Sequence, residues 1–387
     1  MSGRQAGRNP SLDGFRIAAA ILIVAIHTSP LETYSELADF ILTRIVARVA
    51  VPFFFMVTGY YVLPKCLGSS ERGRDQRSKS FWNYEKKNLY LYLGAILLYL
   101  PVNWYAGNLK SWSLGSLLPE LVFQGTFYHL WYLPALLLGM MLVYGLGKLF
   151  PYRILLAVSA VLYLIGLGGD SYYGLVSQWK PLESFYEWIF SVSPYTRNGV
   201  FFAPLFLCLG YGLGRRLRRR QAAFREEGGK RFPGSRAFAP ETKQELQILE
   251  EDASRCGIGL LVCALLMLAE GLWLHALKWQ RHDSMYLMLP GVMICLFVIL
   301  QAGEGHPRRT EERDSRGGGF SVASFTTWIY LLHPLGIILV RGGAKAGKLP
   351  VLIENSLLHF LAVVLVSMVL AAGGCLLLSK RKRRDRF

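Results

Sequence analysis

LDGFRIAAAILIVAIHTSP, residues 12–30, is the stretch whose reading decides the fold. Between Arg16 and His27 lie only small or apolar residues, so a basic side chain and an imidazole occupy a segment long enough to enter a bilayer. Ionisable side chains are costly in lipid, and those that occur there tend to mark function. Arg16 and His27 are close to three helical turns apart. That spacing puts them on one helix face, roughly 16 Å apart along the axis.

The composition agrees with a membrane setting. Of 387 residues, 52% are hydrophobic and 13% aromatic, which points to a polytopic membrane protein rather than a string of soluble domains. The net charge of +17 would suggest nucleic acid in a soluble chain. Here the basic residues cluster between apolar runs, which is the topological bias of cytoplasmic loops, so no nucleic-acid partner is expected. The six cysteines have no CxxC pair and no metal-ligand spacing, so neither a disulfide framework nor a metal site is expected. Ala25-Ile26-His27 is a poor small-residue cleavage site, which argues against a cleaved signal peptide.

Apolar runs near the length of a span occur at 12–30, 41–63, 87–106, 127–147, 154–170, 199–214, 257–276, 285–302, 321–341 and 355–378. The expected fold is therefore all-α, a transmembrane helical bundle of about ten helices. Most Lys and Arg then fall on one side together with both termini, which are expected to be cytoplasmic. In this reading residues 1–11 are a cytoplasmic N-terminus, 12–378 the membrane domain and 379–387 a basic tail suited to an anionic lipid surface. The inside loop 215–256 opens with RRLRRR and reads as a solvated linker, its ETKQELQILEED piece able to form a short amphipathic helix. Gly317 to Gly319, in the loop 303–320, are weak evidence for phosphate binding because no strand precedes them. The aromatic outside segment 171–198 reads either as an interfacial belt or as the lining of a polar-acceptor site.

Several further polar residues stand where lipid would disfavour them. In TRIVARVAVPFFFMVTGYY, residues 43–61, Arg44 and Arg48 are spaced i, i+4 near the outer end of the second span, and Pro52 is expected to interrupt that helix. The two arginines can snorkel, or face a cavity and hold an anionic or carbonyl group. His129 and Trp131 open the fourth span from the outside. His333 precedes Pro334, where an imidazole can repair the proline-broken backbone ladder. Glu120, Asp170, Glu183 and Glu270 are the acidic groups available to orient a histidine.

RIAAAILIVAIH (16–27), RVAVPFFFMVTG (48–59), HLWYL (129–133) and IYLLHP (329–334) occur in this order, and together they resemble the acyltransferase 3 family of integral membrane acyltransferases. The likeness runs from about residue 11 to 378. The second-span motif most resembles the membrane part of the membrane-bound serine/alanine racemases associated with vancomycin resistance. Those proteins carry a cytoplasmic racemase domain after the membrane part; the sequence holds nothing like it, so racemase activity is not expected of this chain. The resemblance implies a ten-helix bundle in the bacterial cell membrane. It would take an acyl group, usually acetyl, from cytoplasmic acyl-CoA and pass it to an acceptor on the outer side. It also implies that His27 is the catalytic residue and Arg16 its partner.

The residues support such chemistry. Transfer from a thioester needs no metal: a neutral imidazole can take the proton of an attacking hydroxyl, or attack the thioester itself. Arg48, Trp131 and Tyr330 are expected donors to the oxyanion, with Arg44, His129 and His333 as further substrate-site residues. Acetyl-CoA is the expected donor. A cell-envelope group or a small amino acid is the expected acceptor, and a homodimer is compatible with the sequence without being called for by it. Two rival readings use the same polar residues: an L-serine or L-alanine permease, in which they form a substrate pathway and proton relay, and an inert membrane platform, which leaves the buried charges unexplained.

Overall fold

A computed structural model describes residues 9–68, 73–231, 243–302 and 321–384. They form an all-α protein, with no strand among the described residues. The principal helices are α1 (Pro10–Thr28), α2 (Ala50–Tyr61), α3 (Arg74–Tyr105), α4 (Tyr132–Leu149), α5 (Tyr152–Gly168), α6 (Lys180–Val192), α7 (Ala203–Arg231), α8 (Lys243–Leu277), α9 (Leu289–Ala302), α10 (Val322–Ala346) and α11 (Ser356–Arg384).

Among the described residues, six stretches are long and apolar enough to cross a membrane: Pro10–Thr28, Glu36–Leu67, Tyr132–Leu149, Ala253–Leu277, Val322–Ala346 and Ser356–Leu377. Helices α5 and α9 are apolar but shorter. The third expected span falls in α3 except for its last residue, and the sixth begins four residues before α7; each helix joins an apolar part to a basic one. In α3 the exposed Leu89, Leu93, Leu97 and Leu100 recur at helical steps, as a lipid-facing stripe does.

Four boundaries differ from the sequence reading. The second span is not interrupted at Pro52. A π-helical turn, Ile41–Ile45, and a 3-10 turn, Val46–Val49, precede it, and regular α2 begins at Ala50. A proline ring crowds the carbonyl four residues earlier, so the irregularity falls upstream at Arg48 while Pro52 sits in a first turn, where its missing N–H costs little. Arg44 and Arg48 are therefore not an α-helical i, i+4 pair. His129 and Trp131 precede α4 rather than opening it, because Gly125 turns the chain at φ 76° and regular helix starts only at Tyr132. Within the loop read as 215–256, α7 carries the RRLRRR run on to Arg231, and α8 starts at Lys243 and runs unbroken into the seventh span, while 232–242 lie outside the described residues. The Gly317–Gly319 run lies outside the described residues, as does the end of the basic tail.

The chain divides into two compact units. The first comprises residues 1–50, 243–268 and 291–387. Its core joins Ala20 and Val24 of α1, Ile329, Ile337 and Val340 of α10, and Val363 and Ala371 of α11. Asn9 caps α1 by accepting from the Leu12 amide, with Pro10 at the first helical position. At the other end of α1, Ser356 donates to the Pro30 carbonyl at 2.8 Å and so ties the outgoing loop to α11.

The second unit comprises residues 51–242 and 269–290. Phe53, Phe55 and Met56 of α2 are fully buried in it, as are Phe202 and Phe206. The backbones of α2 and α7 meet at Gly59 and Gly210: a Cβ on Gly59 would strike the Leu207 carbonyl, and one on Gly210 the Met56 carbonyl. Two carboxylates pin the loop 281–288. Asp170 accepts from the amides of Ser284 (2.7 Å) and Met285 (3.0 Å), and Glu270 accepts from Tyr172 Oη (2.8 Å) and the amides of Leu287 and Met288.

Candidate active site

Helix α1 is regular from Pro10 to Thr28, so Arg16 and His27 keep the common face that their spacing implies. The partner of Arg16 lies one turn back: its guanidinium meets Asp13 Oδ1 at 2.5 Å, with side-chain exposures of only 16% and 12%. A charge in that position needs a counter-charge, and Asp13 supplies it from the same helix. The sequence held this signal as an i, i+3 acid–base pair, which was not read.

His27, in the last turn of α1, stacks on His333 of α10 with ring centroids 5.1 Å apart and planes 25° from parallel. His333 is fully buried. Pro334 has no N–H for the carbonyl of Tyr330, and His333 Nδ1 fills the gap at 2.8 Å, with the Ile329 carbonyl at 3.3 Å. Carbonyls only accept, so Nδ1 carries the proton and Nε2 of the neutral ring keeps its lone pair. The proline thereby fixes one tautomer in the ring that stacks on His27. The Tyr330 ring lies 6.5 Å from that of His333. The 3-10 turn holding Arg48 packs against α1, with Arg48 half-buried and Arg44 exposed.

The remaining expected site residues lie in the second unit. His129 is buried among the rings of Tyr99 (4.8 Å), Phe127 and Tyr128. Trp131 lines a cavity of about 280 Å³ together with Asn103, Glu120, Gln124, Thr126 and Arg197. The Arg197 guanidinium lies 4.8 Å from the Trp131 ring and 4.6 Å from that of Tyr195, so aromatic faces brace it. Asn103 donates to the Thr126 carbonyl at 2.7 Å and accepts from Asn108 at 3.1 Å. The Thr126 hydroxyl is buried, with no hydrogen-bond partner among the described residues. Burial raises the pKa of Glu120 above the ordinary carboxylate value. Arg197 escaped sequence reading because SPYTRNG looks like any polar turn.

The acidic residues sort differently from expectation. Asp170 Oδ1 and both oxygens of Glu270 accept from backbone amides, and Glu183 pairs with Lys180 at 3.2 Å. Glu120 is the one of the four that faces the cavity.

A family model described as an acyltransferase domain matches residues 9–378. The chain belongs to the acyltransferase 3 family. It is thus a multi-pass, membrane-embedded member of that acyltransferase family, with α1 and α10 contributing its histidine pair. An amino-acid racemase of Enterococcus faecalis is 38% identical over 380 residues, covering 97% of this chain and 47% of the relative. A serine/alanine racemase of Enterococcus gallinarum is 34% identical over 362 residues, covering 93% and 45%. This acyltransferase 3 chain therefore spans about half the length of the curated relatives it matches. No solved structure matches it.

Proposed function

We propose that this protein transfers an acyl group, acetyl in the simplest case, from cytoplasmic acyl-CoA to a hydroxyl or amine presented at the outer side of the cell membrane, with His27 as general base. The observation that carries this reading is the His27–His333 stack with its proline-fixed tautomer. His27 removes the proton of the acceptor as its oxygen or nitrogen attacks the thioester carbonyl. The tetrahedral oxyanion then collapses, and the CoA thiolate leaves with a proton returned by the imidazolium. Arg48 and Tyr330, in the same unit as the histidine pair, are the proposed oxyanion donors. Arg16, held by Asp13, is proposed to keep the cytoplasmic part of the path cationic for the donor. A positioned general base contributes typically about 100- to 10,000-fold. Purified protein in proteoliposomes with acetyl-CoA inside tests the reading through CoA release that depends on an outer acceptor.

A second reading rests on the cavity of the other unit. Arg197 and Glu120 line one small polar space, as a zwitterion requires, and the relatives are named for racemising amino acids. In this reading the membrane domain binds L-serine or L-alanine there, as acceptor or as transported solute. Thermal stabilisation separates the two ligands, since anything that binds only the folded state raises its melting temperature. A shift with acetyl-CoA supports acyl transfer, whereas a shift with the amino acid alone supports the second reading.

A further inference from the structure

Helix α6 lies between the apolar helices α5 and α7, yet it has the sharpest three-way division of side chains in the protein. At about 100° per residue its positions sort into three arcs. Tyr186 and Ile189 are buried against the second unit. Lys180, Glu183, Glu187 and Ser191 form a polar arc. Phe185, Trp188 and Val192 form a third arc that is apolar and exposed, with Trp188 at 66%, and Leu182 in the first turn is exposed beside the buried arc. A helix facing only protein and water has no use for the third arc.

We propose that α6 is an interfacial helix, seated along one surface of the bilayer with the Phe185–Trp188–Val192 arc in the headgroup–acyl boundary and the Glu187 arc in water. Lipid, rather than a second copy of the chain, is the proposed occupant, because α6 is fixed to the end of an apolar helix that also exposes apolar side chains and because Trp188 suits a bilayer interface. Tyr186 Oη donates to the Ile165 carbonyl at 2.7 Å, and its ring lies over Gly168 and Gly169, so α6 is fixed to the end of apolar α5. Helix α5 itself exposes Ile154, Val161 and Leu164 along one side. An amphipathic helix of this kind sinks about 5–10 Å below the headgroups, and Trp is the residue best suited to that depth.

The seat matters for the cavity. Immediately after α6, Ser193 donates to the Tyr195 carbonyl at 2.8 Å, and Asn198 donates to both Ser193 Oγ and the Tyr195 carbonyl. Helix α6 thereby carries the Tyr195–Arg197 wall of the polar cavity, and its docking on lipid holds that wall in place. The inference stands on exposure and helix geometry and does not depend on acyl transfer.

The test is tryptophan quenching in liposomes of phosphatidylcholine brominated at shallow or deep acyl positions, comparing the full chain with Trp188→Phe. The Trp188-dependent emission is expected to fall by about half in shallow-brominated lipid and less in deep-brominated lipid, while aqueous iodide quenches it weakly. In Trp188→Phe/Glu187→Trp the new indole is expected to respond to iodide and not to bromine. Strong iodide quenching of Trp188 without bromine quenching would overturn the proposal in favour of a water-exposed helix. Protection from both quenchers that disappears at high lipid-to-protein ratio would overturn it in favour of a contact between two copies.

Discussion

At the scale of single residues, the histidine pair rests on a backbone defect that is put to use. Pro334 leaves the Tyr330 carbonyl without its helical donor, and His333 replaces that donor. His333→Leu is expected to orphan a buried carbonyl and to cost about 1–3 kcal/mol, read as a lower melting temperature in detergent. Adding Pro334→Ala restores an N–H, so the double variant should regain most of that stability but not the acyl-transfer activity. Rescue of both would make His333 a structural repair alone. Asp13→Asn removes the counter-charge of a largely buried arginine and is expected to destabilise by about 1–3 kcal/mol, whereas Asp13→Glu costs less. The sequence made Arg16, His27 and His333 legible because each is a polar group in an apolar run. Asp13 was legible only through its spacing, and Arg197 not at all, because a basic residue in an outside loop becomes a site residue only when aromatic rings from distant segments close around it.

At the scale of elements, the length of apolar runs located the apolar helices, and charge clusters lay between them, because both follow directly from the cost of polar groups in lipid. Run length failed where backbone sterics decide. The π and 3-10 turns before α2 arise from crowding by Pro52, which a hydropathy pattern does not record, and the unbroken end of α7 and start of α8 arise from helix propagation past the apolar boundary. The α2–α7 contact gives an element-scale prediction. Gly59→Ala places a Cβ against the backbone of Leu207, which cannot rotate away, so a loss of at least about 1–3 kcal/mol is expected. Gly94→Ala, with open space around it on α3, should be neutral or slightly stabilising in the same melting experiment.

At the scale of the whole molecule, two units carry different chemistries: a histidine pair beside a held Asp–Arg pair in one, and a polar cavity with a braced arginine in the other. The cavity also leaves a pH signature. Burial raises the folded-state pKa of Glu120, so the folded protein favours its protonated form. That contribution is fully present below the unfolded carboxylate pKa and is lost as pH rises through the folded value. Glu120→Gln should therefore flatten the decline of melting temperature above the acidic range, and an unchanged pH profile would show that Glu120 is solvated. The central claim is that acyl transfer depends on His27 as general base, and the most direct test is His27→Ala in proteoliposomes supplied with acetyl-CoA on the cytoplasmic side. The account predicts a correctly inserted protein with the melting temperature of the parent and no acceptor-dependent CoA release. Release at the parent's rate from that variant would contradict it.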